Sequence, residues 1–170
     1  MEKVLIKQSE IQQLVKNVAA KIDADYGKQE VVFVCVLKGA FMFFADLIRE
    51  LKSTVAIIDF VKVSSYGAST DKPGKPELKL SASENVEGKH VVLVDDLIDT
   101  GNTLLFLKNE FSKTSARSVK VCTLLDKPTR RVADIEPDYL GKAIEDQFVF
   151  GYGIDAGGKG RHLKDVCYKI

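Results

Sequence analysis

The sequence predicts an α/β domain built on a central parallel sheet. Three observations lead there. Val31-Val32-Phe33-Val34-Cys35-Val36-Leu37 is an unbroken run rich in β-branched residues, the pattern of a strand covered on both faces. Two further runs of this kind follow, His90 to Val94 and Val119 to Leu125. Segments with apolar residues at helical spacing lie between the runs. Alternating strands and helices imply crossover connections and a parallel sheet.

Taken in order, Ser9 opens a helix, with Gln12 three residues on as its capping-box partner. Ile11, Leu14, Val15, Val18 and Ile22 form its apolar face, and Tyr26-Gly27 ends it. Lys38-Gly39 breaks the first long strand. A second helix then turns Phe41, Phe44, Leu47, Ile48 and Leu51 inward, and Thr54 to Val63 reads as the next strand. Ser64 to Leu80 contains Gly67, Pro73, Gly74 and Pro76 and little that would enter a core. A loop of that length inside a compact domain is usually functional or disordered. Gly88-Lys89 turns into the strand at His90, and the helix after Gly101 buries Leu104, Leu105, Leu107 or the stem of Lys108, and Phe111. From Tyr139 to Ile170, short strands mix with glycines and form a small cap on the sheet. With no internal repeat and no linker, residues 1–170 are expected to form a single domain.

Bulk properties narrow the function. Hydrophobic residues make up 45% and charged residues 29%, ordinary for a globular domain. The net charge of +1 provides no global field for nucleic acid or a membrane, so selectivity must come from local charge. The longest apolar runs fall short of a membrane span. Met1-Glu2-Lys3-Val4 lacks the basic-then-apolar start of a signal peptide. Cys35, Cys122 and Cys167 are odd in number and have no CxxC spacing. They are expected to be small core residues of a cytoplasmic protein.

The chemistry concentrates in Val91-Val92-Leu93-Val94-Asp95-Asp96-Leu97-Ile98-Asp99-Thr100-Gly101-Asn102-Thr103. In an open parallel sheet, ligands bind beyond the carboxyl ends of the strands. Asp95 and Asp96 lie at such an end and, as neighbours on a strand, point opposite ways. Leu97 and Ile98 turn back into the core, and Asp99 returns to the crevice. Thr100, Gly101, Asn102 and Thr103 then present free N–H groups and a helix dipole to an anion. Gly101 allows close approach, and the threonine hydroxyls add donors. One such acid would simply end a strand or cap a helix; three, followed by this turn, suit a ligand with hydroxyls at one end and a phosphate at the other. The rival P-loop reading needs G-x-x-x-x-G-K-[ST]. The Gly67 and Gly74-Lys75-Pro76 stretch does not supply it, nor does Gly157-Gly158-Lys159.

Val91 to Thr103 resembles the phosphoribosyl pyrophosphate (PRPP) signature of the type I phosphoribosyltransferases. More specifically, the chain is similar to the bacterial hypoxanthine (hypoxanthine-guanine) phosphoribosyltransferases. Leu37-Lys38-Gly39-Ala40, Ser64-Ser65-Tyr66-Gly67, Leu124 to Pro128 with Arg130-Arg131, Phe148 to Asp155 and Arg161-His162-Leu163 have counterparts there in the same order.

The resemblance implies a type I fold, with a parallel sheet flanked by helices and a small hood made by the chain ends. It also implies a Mg²⁺-dependent transfer from PRPP to hypoxanthine or guanine, releasing pyrophosphate and giving IMP or GMP. On the same basis, Asp99 is the acid-base group. Asp95, Asp96 and Asp99 through Thr103 bind ribose and 5′-phosphate. Lys38, Gly39 and Arg161 take pyrophosphate, with a cis non-proline bond at the Lys38-Gly39 loop. Lys127 selects the purine 6-oxo group; Phe148, Val149 and Asp155 complete the base site. Asp155, Asp95 and Asp96 carry metal. Ser65 and Tyr66 head a lid over about 64–80. A homodimer or homotetramer is the expected assembly.

Asp95 stands where many members of the family carry Glu, and Ala156-Gly157-Gly158 where they carry an aromatic or larger residue. His90 and His162 are expected to be surface or structural groups. The alternatives are a regulatory RNA-binding protein on the same fold, which needs a basic face, and a transferase for another base such as xanthine or uracil.

Overall fold

The computed structural model describes residues 2–66 and 75–169. Among them, nine strands and three α-helices follow the order β1 (Glu2–Ile6), α1 (Gln8–Tyr26), β2 (Glu30–Leu37), α2 (Phe41–Glu50), β3 (Val55–Tyr66), β4 (Lys75–Leu80), β5 (His90–Ile98), α3 (Asn102–Ser112), β6 (Ser118–Asp126), β7 (Tyr139–Ala143), β8 (Val149–Phe150) and β9 (Val166–Lys169). Six strands make one sheet in the order β4-β3-β2-β5-β6-β7. Its β3, β2, β5, β6 and β7 run parallel, and β4 pairs antiparallel at the edge. A separate antiparallel sheet, β1-β9-β8, joins the two ends of the chain. This is the predicted hood.

The unbroken apolar run of β2 is explained by two cores. Val31, Phe33 and Cys35 pack with α1 and α2 on one face. Val32, Val34 and Val36 pack with Leu104, Leu107 and Phe111 of α3 on the other. β5 repeats the division, with Val92 and Val94 on the α1–α2 side and Val91 and Leu93 on the α3 side. Side chains alternate along a strand, so Asp95 inherits the α3 side and Asp96 the α1–α2 side.

Several expectations change. The Ser9–Gln12 capping box is not the start of α1. The helix begins at Gln8, and its first N–H donates to Asp165 Oδ1 from the distant hood at 2.7 Å. In α2, Phe43 is buried in the α1–α2 core where Phe41 was expected, and Phe41 is exposed. Much of Ser64–Leu80 is not loop, because β3 continues to Tyr66 and pairs with β4, with Ser65 opposite Pro76 and Tyr66 opposite Lys75. Residues 67–74 lie outside the described residues. The tail divides: β7 joins the main sheet beside β6, and only β8 and β9 enter the hood. Cys35 and Cys122 are buried as expected, whereas Cys167 is only partly so.

Asp23 fastens α1 to the turn before β3. It accepts N–H from Lys52, Ser53 and Thr54 at 2.8, 3.1 and 2.9 Å. Burial opposes its charge, but these donors outweigh burial and hold its pKa at about 2. The folded value lies below the unfolded one of about 3.9. Its contribution is therefore complete above about pH 4 and is lost as pH falls through about 2. Asp23→Asn is expected to cost about 1–2 kcal/mol at neutral pH after solvent screening. Denaturant unfolding of the two proteins should converge near pH 2; a pH-independent difference would contradict the charge argument.

Candidate active site

β5 delivers the acids to the carboxyl edge of the sheet. Ile98 is buried and Leu97 packs partly, which anchors the segment as expected, though the backbone stays in strand conformation through Ile98. Asp95, Asp99, Thr100, Gly101 and Thr103 line an open cavity of about 110 Å³ at the start of α3. Asn102 is exposed in the first turn. N–H groups in a first helical turn have no intrahelical acceptor and are available to an anion. Gly101 has φ 84°. A Cβ there would lie 2.8 Å from Ile135 and 2.9 Å from Arg131, so glycine answers both the left-handed backbone and the crowding.

Asp96 reaches toward the turn after β2, although its carboxyl also hydrogen-bonds that of Asp95. The peptide between Leu37 and Lys38 is cis, and Gly39 lies so near Asp96 that a Cβ would overlap the carboxylate. Gly153 in turn rests on the Gly39 carbonyl. Arg161 exchanges backbone and side-chain bonds with Gly153, its Nη1 donating to Gly153 O at 2.7 Å and its O accepting from Gly153 N at 2.9 Å. Asp155 Oδ1 accepts from Arg161 Nη2 at 2.7 Å, and its Oδ2 accepts from Gly158 N at 2.7 Å. The Ala156-Gly157-Gly158 departure thus forms a tight turn that holds Asp155, with Gly157 and Gly158 at φ 62° and 81°. Lys38, Gly39, Asp96, Asp155 and Arg161 form one group, and Lys38 is exposed.

Burial, and then the neighbouring Asp96 charge, push the Asp95 carboxyl well above the usual range. Burial also raises Asp96, partly offset by hydrogen bonds and by Arg161. Among the described residues no three acidic, histidine or cysteine side chains converge as a metal cluster; the paired Asp95 and Asp96 oxygens supply part of the oxygen set that a hard divalent cation takes.

Lys127 follows the end of β6. Its residue is only 6% exposed, and its N–H donates to Ile98 O at 2.9 Å. Phe148 is 56% exposed, an unusual state for a phenylalanine next to a buried strand, and Lys169 Nζ lies over its ring, 6.0 Å from the centroid. Val149 is buried and pairs with Tyr168 in the hood. Ser65 and Tyr66 sit at the far end of β3. His90 is structural: Nδ1 meets Ser118 Oγ at 2.6 Å and its ring packs 5.0 Å from Tyr26.

Sequence reasoning assigned no role to Arg130 and Arg131. Arg130 Nε donates to Asp99 Oδ1 at 2.9 Å. Arg131, its side chain 10% exposed, forms an ion pair with the buried Asp126, and it also donates to Ile135 O at 2.5 Å and Asp99 O at 3.4 Å. Their adjacency to Lys127 was the available signal.

A strand-end carboxylate pair, a helix start open to an anion and a nearly buried lysine beyond the next strand, all at one edge of a parallel sheet, define a domain for phosphorylated sugars and their bases. The chain belongs to the phosphoribosyl transferase domain family, whose model matches residues 5–156. It is 42% identical over 163 residues to the hypoxanthine-guanine phosphoribosyltransferase of Bacillus subtilis strain 168, covering 96% of this chain and 90% of that one. A crystal structure of a hypoxanthine-guanine phosphoribosyltransferase from Bacillus anthracis, with a HEPES molecule in its active site, superposes with a TM-score of 0.93 at 43% identity, covering 99% of this chain and 98% of that one. A Trypanosoma cruzi hypoxanthine phosphoribosyltransferase, solved as a mutant in a ternary substrates complex, gives a TM-score of 0.92 at 35% identity, covering 99% and 95%.

Proposed function

We propose that this chain is a purine-salvage transferase that moves the phosphoribosyl group of PRPP to N9 of hypoxanthine or guanine. The observation that carries this reading is the division of β5: Asp95 joins the anion cavity at the start of α3, while Asp96 faces Gly39 and Arg161. One ligand lying across the strand end would place its 5′-phosphate on the first side and its pyrophosphate on the second.

In the reaction, the N9 lone pair attacks C1 of the ribose as the C1–O bond breaks, and that electron pair leaves with pyrophosphate. The N7 proton passes to Asp99. Asp95 and Asp96 hold the ribose hydroxyls and stabilise positive charge developing on the ring. Amides of Thr100 through Thr103 hold the 5′-phosphate. Lys38, Gly39 and Arg161 receive pyrophosphate, where a guanidinium matches phosphate oxygens. Asp95, Asp96 and Asp155 would hold Mg²⁺, which would supply neutralisation of the leaving group. Phe148 stacks on the base, Val149 offers main-chain oxygen, and Asp155 borders this site. Ser65 and Tyr66 head a lid that excludes water.

Lys127 donates to the 6-oxo group, and adenine would present another donor there. Lys127→Ala is expected to raise the purine KM roughly 10- to 100-fold, the worth of a hydrogen bond to a charged group. The KM for PRPP should move far less, and the reverse ranking would remove Lys127 from the base site.

The function is tested by PRPP-dependent turnover with hypoxanthine, guanine, xanthine and adenine, read by product absorbance. Conversion of hypoxanthine or guanine is expected. No turnover with any purine, together with tight RNA binding, would favour the regulatory alternative. We assign the enzyme to the cytoplasm. For assembly we propose a homodimer or homotetramer, supported by exposed Phe41, Ile58 and Phe60 beside α2; sedimentation mass decides between them. No helix among the described residues is long and apolar enough to cross a membrane.

A further inference from the structure

Arg130 ends the short 3-10 turn Pro128–Arg130, three residues beyond Lys127. Its Nε lies 2.9 Å from Asp99 Oδ1 and 3.8 Å from Asp146 Oδ1. Asp99 is the group assigned to purine N7, and Asp146 stands two residues before Phe148. A single guanidinium therefore lies within reach of two carboxylates, one on the β5 edge and one just before Phe148. The Arg130, Asp99 and Asp146 side chains are 48%, 42% and 53% exposed. An ion pair so exposed is weak and exchanges easily.

The Asp99 oxygen facing Arg130 is an acceptor already in use. An incoming purine brings its own N7–H donor, and a cation held on the carboxylate makes that acceptor poorer. Asp146 gives the displaced guanidinium a second anion within about 1 Å of its present reach, so release leaves no charge unpaired. Arg130 also belongs to the same turn as Lys127, and its position is fixed relative to the purine edge by the bond from Arg130 N to Lys127 O at 3.0 Å.

We infer that Arg130 is a displaceable cap on Asp99, a positioning residue that passes to Asp146 when the purine enters and thereby sets purine affinity. The inference rests on the assignment of Asp99 to N7. It predicts opposite signs for two neighbouring variants. Arg130→Met removes the competitor and should lower the KM for hypoxanthine, at saturating PRPP, by about 1.4- to 5-fold, the range of an exposed ion pair. Asp146→Asn removes the alternative partner and should raise it by a similar factor. The double variant should match Arg130→Met, because Asp146 has no guanidinium left to receive. Arg130→Lys should fall between parent and Arg130→Met.

A merely structural role would raise KM in both single variants and would not cancel in the double one. A rise with Arg130→Met would overturn the cap, showing that the guanidinium holds Asp99 for the base rather than against it. If Arg130→Met fails to fold, an unchanged hypoxanthine KM in Asp146→Asn overturns the cap on its own. Unaltered turnover in Asp99→Ala would instead remove the assignment of Asp99 itself. Collapse of turnover in Asp99→Ala, with hypoxanthine KM unmoved in Arg130→Met and Asp146→Asn, would remove the cap alone.

Discussion

Asp99→Ala is expected to lower turnover by about 10²- to 10⁴-fold, the usual worth of a positioned proton transfer, while PRPP binding stays nearly intact. The expectation follows from where Asp99 sits. It lines the anion cavity with Thr100, Gly101 and Thr103, yet its carboxylate is drawn toward Arg130, on the Lys127 turn. In the proposed reaction its side chain faces the base, and the phosphate is left to the amides and hydroxyls that follow. Removing the carboxylate takes away the acceptor for the N7 proton but none of the phosphate donors. The check is kcat by steady-state kinetics beside PRPP affinity by titration. Equal losses in both would mean that Asp99 shapes the phosphate loop and does not handle the proton.

The second large effect concerns Arg131. Its side chain is 10% exposed and that of its partner Asp126 is 4% exposed. Arg131 also ties together Ile135 O and Asp99 O, and its stem packs against Gly101. Thr100 O accepts from Val132 N and Ala133 N at 3.0 and 2.9 Å, so the segment carrying Arg131 forms the back wall of the phosphate loop. Arg131→Met leaves the Asp126 carboxylate buried without its cation. Breaking a buried pair in this way costs about 3–5 kcal/mol, a large part of the roughly 5–15 kcal/mol that stabilises a domain. At about 2–4 °C per kcal/mol, the melting temperature should fall by roughly 6–20 °C.

The KM for PRPP should also rise, because the wall behind Gly101 loses its tie to the Asp99 carbonyl. A double variant, Asp126→Leu with Arg131→Met, separates the two effects. Removing both charges restores much of the stability but leaves the loop untied, so PRPP affinity should stay weak. Recovery of both together would assign Arg131 to stability alone.

Much of this was readable from the chain. The β2 run announced a strand with two covered faces, because a strand that must satisfy two cores cannot alternate with polar residues. The neighbouring acids at 95 and 96 announced two directions, because successive side chains on a strand oppose each other. Gly101 before a helix announced a turn that an anion could approach closely. Each of these is a local rule, carried by residues within a few positions of one another.

The exceptions share another cause. The cap on α1 comes from Asp165, 157 residues away. Arg130 reaches Asp99 across 31 residues. Phe43 replaces Phe41 in the core, and Gly39 is required by Asp96. Periodicity states which face of an element is apolar; it does not state which distant segment will cover that face or complete its hydrogen bonds. The sequence by itself determined the sheet, its two cores, the acid-and-amide edge of β5 and the family. Only the tertiary structure decided that Asp96 meets Gly39 and Arg161 and that two arginines reach Asp99. Those pairings arise when crossovers bring remote strand ends together, and no short-range pattern records them.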